Sequence, residues 1–231
     1  MDHAEFDQFA DEYDSLHRKN IAVTGEAPEY FHEYKIKAFR RRAEEAIFEP
    51  KRILDFGSGI GNSIGYLRRY FPNSEILGSD LSERSLDIAE KRFPDIPRGL
   101  KIEDNRIPAA DNSFDMAFSA CVFHHIPHEE HAHWLSELHR VTRKVGMLAI
   151  FEHNPLNPLT VRAVNTCPFD TNAHLIRARQ LTNSFRQTGW SDPKTHYHLF
   201  FPHSLSAMRW IEPHLSSVPF GGQYSVTAIQ A

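Results

Sequence analysis

From Arg52 onward the chain alternates between short apolar runs and stretches with helical spacing. Runs at about 52–56, 75–79, 100–103, 114–120 and 147–152 read as buried strands. Stretches at about 60–70, 82–93, 128–143 and 177–188 read as helices, with Ser82 placed as an N-cap and Pro94, Gly146 and Gly189 as stops. Such alternation predicts a parallel sheet with helices on both faces. Upstream, residues 28–48 place Phe31, Tyr34, Ile36, Phe39, Ala43 and Ile47 near one stripe of an amphipathic helix. The basic positions from Lys35 to Arg42 then fall on its solvated face. The tail reads as a strand near 194–201, a short helix at about 204–215 and a last strand within GGQYSVTAIQA.

The first strand runs into RILDFGSGIGNSIG, where an acid closes the strand and glycines stand at every second position. Gly57, Gly59 and Gly61 let backbone approach a ligand closely at a strand-to-helix turn. A dinucleotide fingerprint places glycine at its first, third and sixth positions. Counted from Gly57, the sixth residue here is Asn62, and glycine falls on the fifth. The second strand ends in Asp80, where a carboxylate can accept hydrogen bonds from ribose hydroxyls, and this suits either a nucleoside cofactor or NAD. A third stretch, KIEDNRIPAADNSFDMAFSACVFHHI, places acids after the third strand. Asp115 opens the fourth strand and reads as structural.

This combination resembles the class I S-adenosylmethionine-dependent methyltransferases over roughly Ile53 to Ile150 at motif level, with motif I at Asp55 to Gly61, and the order of elements extends the resemblance to the C-terminus. The N-terminal FDQFADEYD resembles the lid of the ubiquinone-biosynthesis type. The resemblance implies a Rossmann-like, doubly wound α/β fold: seven strands, mostly parallel with the last antiparallel, and helices on both faces. It also implies S-adenosyl-L-methionine as cofactor. On it, Gly57, Ser58, Gly59 and Gly61 wrap the methionine part, and Asp55 helps hold the cationic amino group. Asp80 takes the ribose, and Leu81 lies against adenine. Glu103 or Asp104 meets the adenine amino group; we favour Asp104, with the Asn105 backbone reading the ring. Backbone around Ala120 passes the methionine end, and Tyr13 covers the cofactor. Here Ile107-Pro108-Ala109 stands where the family has Leu-Pro-Phe. The expected division is a helical lid or cap over 1–50 and a cofactor-binding domain over 51–231, with 153–177 as a substrate-side insertion.

Composition narrows the partners. A length of 231 residues with 41% hydrophobic content suits one α/β core, and a net charge of −4 leaves no footprint for nucleic acid. The family's nucleic-acid enzymes carry an Asp/Asn-Pro-Pro-aromatic motif after the fourth strand, where this chain has Ser119-Ala120-Cys121-Val122. No apolar run reaches the roughly 18 residues of a membrane span. The N-terminus lacks a signal-peptide pattern. Two cysteines make no disulfide framework, so a cytoplasmic setting is expected. Phe200 to Phe220 reads either as a homodimer surface or as the pocket's roof.

Methyl transfer needs alignment of the acceptor and, for a hydroxyl, removal of its proton. Two segments sit where a base is needed. After strand four come His124 and His125; after strand five come Glu152 and His153, followed by the turn-forming Asn154-Pro155. The segment from His153 to Arg177 holds three prolines and little periodicity, and its Asn165, Thr166, Cys167, Phe169 and Asp170 read as polar contacts to an acceptor or as a plain cap. His124, His125, His128, His131 and His133 include helical spacings that suit metal ligation, but no acid visibly completes a set. They read as a solvated helix face, with no metal expected. The expected activity is methyl transfer to a small molecule, first to oxygen: a sugar, a lipid-linked intermediate or a secondary metabolite. A catalytically silent partner subunit and an NAD-dependent oxidoreductase are the alternatives.

Overall fold

The computed structural model describes Arg18, Ile21 and residues 24–231. Its strands are β1 (Arg52–Phe56), β2 (Glu75–Asp80), β3 (Leu100–Lys101), β4 (Phe114–Ala120), β5 (Thr142–His153), β6 (Trp190–His198) and β7 (Gln223–Gln230). Its helices are α1 (Pro28–Glu45), α2 (Ile64–Tyr70), α3 (Glu83–Arg92), α4 (His131–Val141), α5 (Pro158–Asn165) and α6 (Ala178–Gln187). The strands form one sheet in the order β3-β2-β1-β4-β5-β7-β6. β1 to β5 pair in parallel, and β7 lies antiparallel between β5 and β6, as expected for the last strand. The order reverses between β1 and β4, which opens a crevice beyond their carboxyl ends.

The sheet is buried on both faces, and its residues alternate between two apolar layers. Leu54, Phe56, Ala117, Leu148 and Ile150 face Trp134, Leu135 and Leu138 of α4 and Leu181 and Phe185 of α6. Ile53, Met116, Phe118, Ala149 and Phe151 face Ile36, Phe39 and Ala43 of α1 and Leu67 of α2. Local chemistry sets the helix starts. Pro28 opens α1, where a missing N–H costs nothing. The Ser82 hydroxyl accepts from Ser85 N–H, as an N-cap should.

Several expectations are corrected. Ile47 leaves the core stripe: α1 ends at Glu45, and Ile47 is 94% exposed with φ 52°. Lys35 is not on a solvated face but buried, its Nζ 3.4 Å from Cys121 Sγ. Gly146 stops no helix; α4 ends at Val141 and β5 starts at once, five residues before the apolar run at 147. The third strand shrinks to two residues, and α2 begins at Ile64 after a longer turn. The segment 153–177 is not irregular throughout. Asn157 accepts from Leu159 and Thr160 N–H and starts α5, with Pro158 in its first turn. An Asn-Pro pair can open a helix as well as a turn. The stretch at 203–215 is 3₁₀ rather than α, with Pro213 inside it.

Candidate active site

The glycine loop sits at the crevice because of contacts that side chains would block. Gly57 and Ser58 N–H both donate to Ser79 O, tying the loop to the end of β2. A Cβ on Gly57 would lie 2.4 Å from Val122 Cγ2, and its φ is +72°. Gly59, at φ +51°, has nothing within 4 Å of the position its Cβ would take. That open flank is where a ligand can meet bare backbone.

Two carboxylates frame the loop. Asp80 accepts from Gly59 N–H at 2.8 Å through Oδ2 and from Ser82 N–H at 2.9 Å through Oδ1. Asp55 is 2% exposed, and its Oδ2 has no hydrogen-bond partner among the described residues. Burial, reinforced by the charge of Asp80, pushes the Asp55 carboxyl up to about 7. Leu81 packs against one core layer. Asp104 and Asn105 are exposed and share a left-handed turn, φ 51° and 53°, and Asn105 O accepts from His133 Nε2 at 2.6 Å. Ala120 ends β4, and Cys121 follows at φ 59° with its N–H on Phe151 O. Asp115 accepts from Lys51 and Arg52 N–H and pairs with Arg143, which is the structural role expected of it. Tyr13 lies outside the described residues.

Residues 54–150 match the family model described as a methyltransferase domain. Over this stretch the chain carries a methyltransferase domain of the class I S-adenosylmethionine-dependent kind. Over 154 residues it is 33% identical to a demethylmenaquinone methyltransferase of Thermotoga maritima, covering 66% of this chain and 61% of that relative. Over 102 residues it is 36% identical to a malonyl-[acyl-carrier protein] O-methyltransferase of Methylococcus capsulatus, covering 43% of this chain and 36% of that one. The chain thus spans less than two thirds of the length of these curated relatives. A solved structure from Thermotoga maritima, described as an S-adenosylmethionine-dependent methyltransferase, aligns over 99% of both chains with TM-score 0.67 at 19% identity, which shows the fold. The cofactor of this methyltransferase family is S-adenosyl-L-methionine, and the crevice fits it. The orphaned Asp55 oxygen asks for a cation, and the open flank of Gly59 leaves room for the group that carries one.

The expected catalytic residues form one cluster across the ends of β4 and β5. Glu152 is fully buried and accepts from Val122 N–H at 3.0 Å, Phe123 N–H at 2.7 Å and His124 Nδ1 at 2.6 Å. Burial opposes its ionisation, but the His124 ring outweighs this and holds the carboxyl below its ordinary value. Burial likewise opposes charge on His124, yet Glu152 and Asp170 raise it to about 10. His125 is depressed by burial and by the neighbouring His124. His153 is half-buried, its ring centroid 5.1 Å from that of His124. Burial works against the Cys121 thiolate, but Lys35 and His153 bring the thiol down to about 7.

The solvated-face reading of the histidine run fails for three members, among them His125, whose side chain is 12% exposed beside Asp170. His124 is 1% exposed. His131 is buried with Nε2 shared between Phe123 O and Ile126 O. His128 and His133 are exposed, as expected. The partner that sequence reasoning undervalued is Asp170, whose Oδ1 lies 3.3 Å from His125 Nε2 and 3.5 Å from His124 Nε2. A lone acid in a loop 45 residues past His125 carries no spacing signal. Lys35 was missed because it interrupts an apolar stripe as a surface lysine would.

Proposed function

We propose that this protein transfers a methyl group from S-adenosyl-L-methionine to a small-molecule acceptor, at an oxygen atom. Asp55 carries the reading. A buried carboxylate without a full set of partners is costly, and an ammonium group seated beside it relieves that cost. When bound, the cofactor supplies an electrophilic methyl on a sulfonium. In this proposal the backbone of Gly57, Ser58, Gly59 and Gly61 surrounds the amino-acid tail, and Asp80 takes the ribose hydroxyls. Leu81, Asp104 and Asn105 border the adenine, and Ala120 backbone borders the methionine end. Residues 1–50, with Tyr13, serve as a helical lid or cap that α1 anchors to the sheet, and the reaction is cytoplasmic.

His153 is the base in this proposal. It is half-buried, so it can reach both the acceptor and solvent, whereas His124 is locked between two carboxylates. His124, His125 and Glu152 then form the rigid wall behind the acceptor. The wall extends through Asn154, whose Nδ2 donates to Pro219 O and Gly221 O, into a rim with exposed Leu156, Leu159 and Phe220. Such a rim suits an acceptor with an apolar portion. No described helix is long and apolar enough to cross a membrane.

A second reading places the methyl on a carbon of a quinone precursor, favoured by the demethylmenaquinone methyltransferases and the ubiquinone/menaquinone biosynthesis C-methyltransferase among the relatives. Both readings are tested by calorimetry with S-adenosylhomocysteine and NAD, followed by a labelled-methyl screen of a metabolite extract. Binding of S-adenosylhomocysteine that is lost in Gly59→Arg is expected. Preferential NAD binding overturns the proposal, and cofactor binding without turnover on any acceptor favours a silent subunit. The position of the label on the product separates oxygen from carbon.

A further inference from the structure

His124, His125 and Asp170 meet at one point behind the crevice, brought there by separate segments. The two histidines lie on the 3₁₀ turn after β4, and Asp170 on the 3₁₀ turn after α5. One donor atom from each lies within 4.8 Å of the other two. His124 Nε2 is buried and faces Asp170 Oδ1 at 3.5 Å without forming a well-aligned hydrogen bond. Asp170 is 7% exposed, and its Oδ1 lies 3.5 Å and 3.3 Å from the two ring nitrogens. A tetrahedral ion with bonds of about 2.0–2.1 Å sets its ligand atoms about 3.3–3.4 Å apart. The carboxylate-to-nitrogen edges therefore already have the span of a coordination polyhedron.

The surroundings repeat the pattern. The Nδ1 of His124 is engaged by Glu152 at 2.6 Å, and the other oxygen of Glu152 is pinned by two backbone N–H groups. A carboxylate that fixes one ring nitrogen turns the lone pair of the other toward a metal and sets the tautomer. Two buried carboxylates meet these rings, Glu152 at His124 and Asp170 at both His124 and His125, so a cation held between the imidazoles has negative charge on two sides.

We propose that His124 Nε2, His125 Nε2 and the Asp170 carboxylate bind one divalent transition-metal ion of the zinc type, with Glu152 as its outer support. Three protein ligands leave a fourth position open. That position takes an oxygen of the acceptor; this part rests on the methyl-transfer reading, whereas metal binding does not. The donor set of two imidazoles and one carboxylate favours zinc over magnesium or calcium, which prefer all-oxygen shells.

The test strips the full-length protein with a chelator and titrates it with Zn²⁺ by calorimetry. Co²⁺ is added in parallel, because its visible absorption reports the coordination number. One ion per chain and a four-coordinate cobalt spectrum are expected. Asp170→Asn and His125→Gln should each weaken Zn²⁺ binding at least 100-fold, and Glu152→Gln by about 10–100-fold. Circular dichroism monitors folding, and His125→Gln, at the partly exposed ligand, covers the case in which Asp170→Asn does not fold. Failure of the folded wild type to bind one Zn²⁺, or wild-type affinity in folded His125→Gln, overturns the proposal and leaves a proton as the balancing cation. S-adenosylhomocysteine binding is measured on the same samples. Zinc binding without it would sink the methyltransferase reading alone, and the reverse would sink the metal site alone.

Discussion

Replacing Asp55 with asparagine should stabilise the free protein at alkaline pH while weakening its hold on the cofactor. The carboxyl titrates near 7 in the folded chain instead of 3.8, because burial and the Asp80 charge both oppose its ionisation. The folded state therefore binds the proton more tightly than the unfolded state does. Stability from this group is complete below pH 3.8 and is lost as the pH rises through about 7. That rise corresponds to about 4 kcal/mol once ionisation is complete, of which roughly 2–3 kcal/mol falls between pH 5 and pH 8. An amide in place of the carboxyl keeps the shape and carries no charge, so the stability of Asp55→Asn should lack this slope. Urea unfolding of both proteins at pH 5, 6, 7 and 8 measures the gap directly. Asp55→Asn is expected to gain on the wild type steadily across that range, and saturating S-adenosylhomocysteine should narrow the gap by stabilising only the wild type. Parallel stabilities across the whole range would refute the account of Asp55 as an uncompensated buried charge.

The loop glycines should separate folding from binding. Gly57→Ala meets Val122 in a left-handed conformation and should cost about 2–4 kcal/mol in unfolding experiments. Gly59→Ala has space for its Cβ and should cost only about 1–2 kcal/mol of backbone strain, yet reduce cofactor affinity in calorimetry well beyond that. Asp115→Ala leaves Lys51 and Arg52 N–H without their acceptor and should lower stability by about 1–3 kcal/mol with cofactor affinity unchanged. His153→Ala should lower kcat about 10²–10⁴-fold with little change in the KM for the cofactor, once an acceptor is known. A KM effect without a kcat effect would make it an anchor instead.

The order of elements and most of their bounds were legible because each rests on local rules. Strands β1 and β4 declare themselves as apolar runs, Ser82 caps α3 as its chemistry requires, and the spacing of Gly57, Gly59 and Gly61 after Asp55 names a nucleotide-type crevice. Periodicity misled where one residue answers to two environments. Lys35 and Ile47 sit on the pattern of α1 but exchange their expected surroundings, because the helix ends at Glu45 and Lys35 is drawn inward beside Cys121. The start of β5 was hidden because polar Thr142 to Lys144 open it ahead of any apolar signal.

By itself the chain determined the alternating α/β architecture, the acid-closed glycine loop and the family that goes with them, since these depend on neighbours a few residues apart. Only the tertiary structure decided which histidines are buried and what they face. Glu152 and Asp170 reach His124 from 28 and 46 residues away, on separate elements that meet only when the sheet is assembled. Pairings across such distances leave no periodic trace, because the packing that creates them is a property of the whole fold.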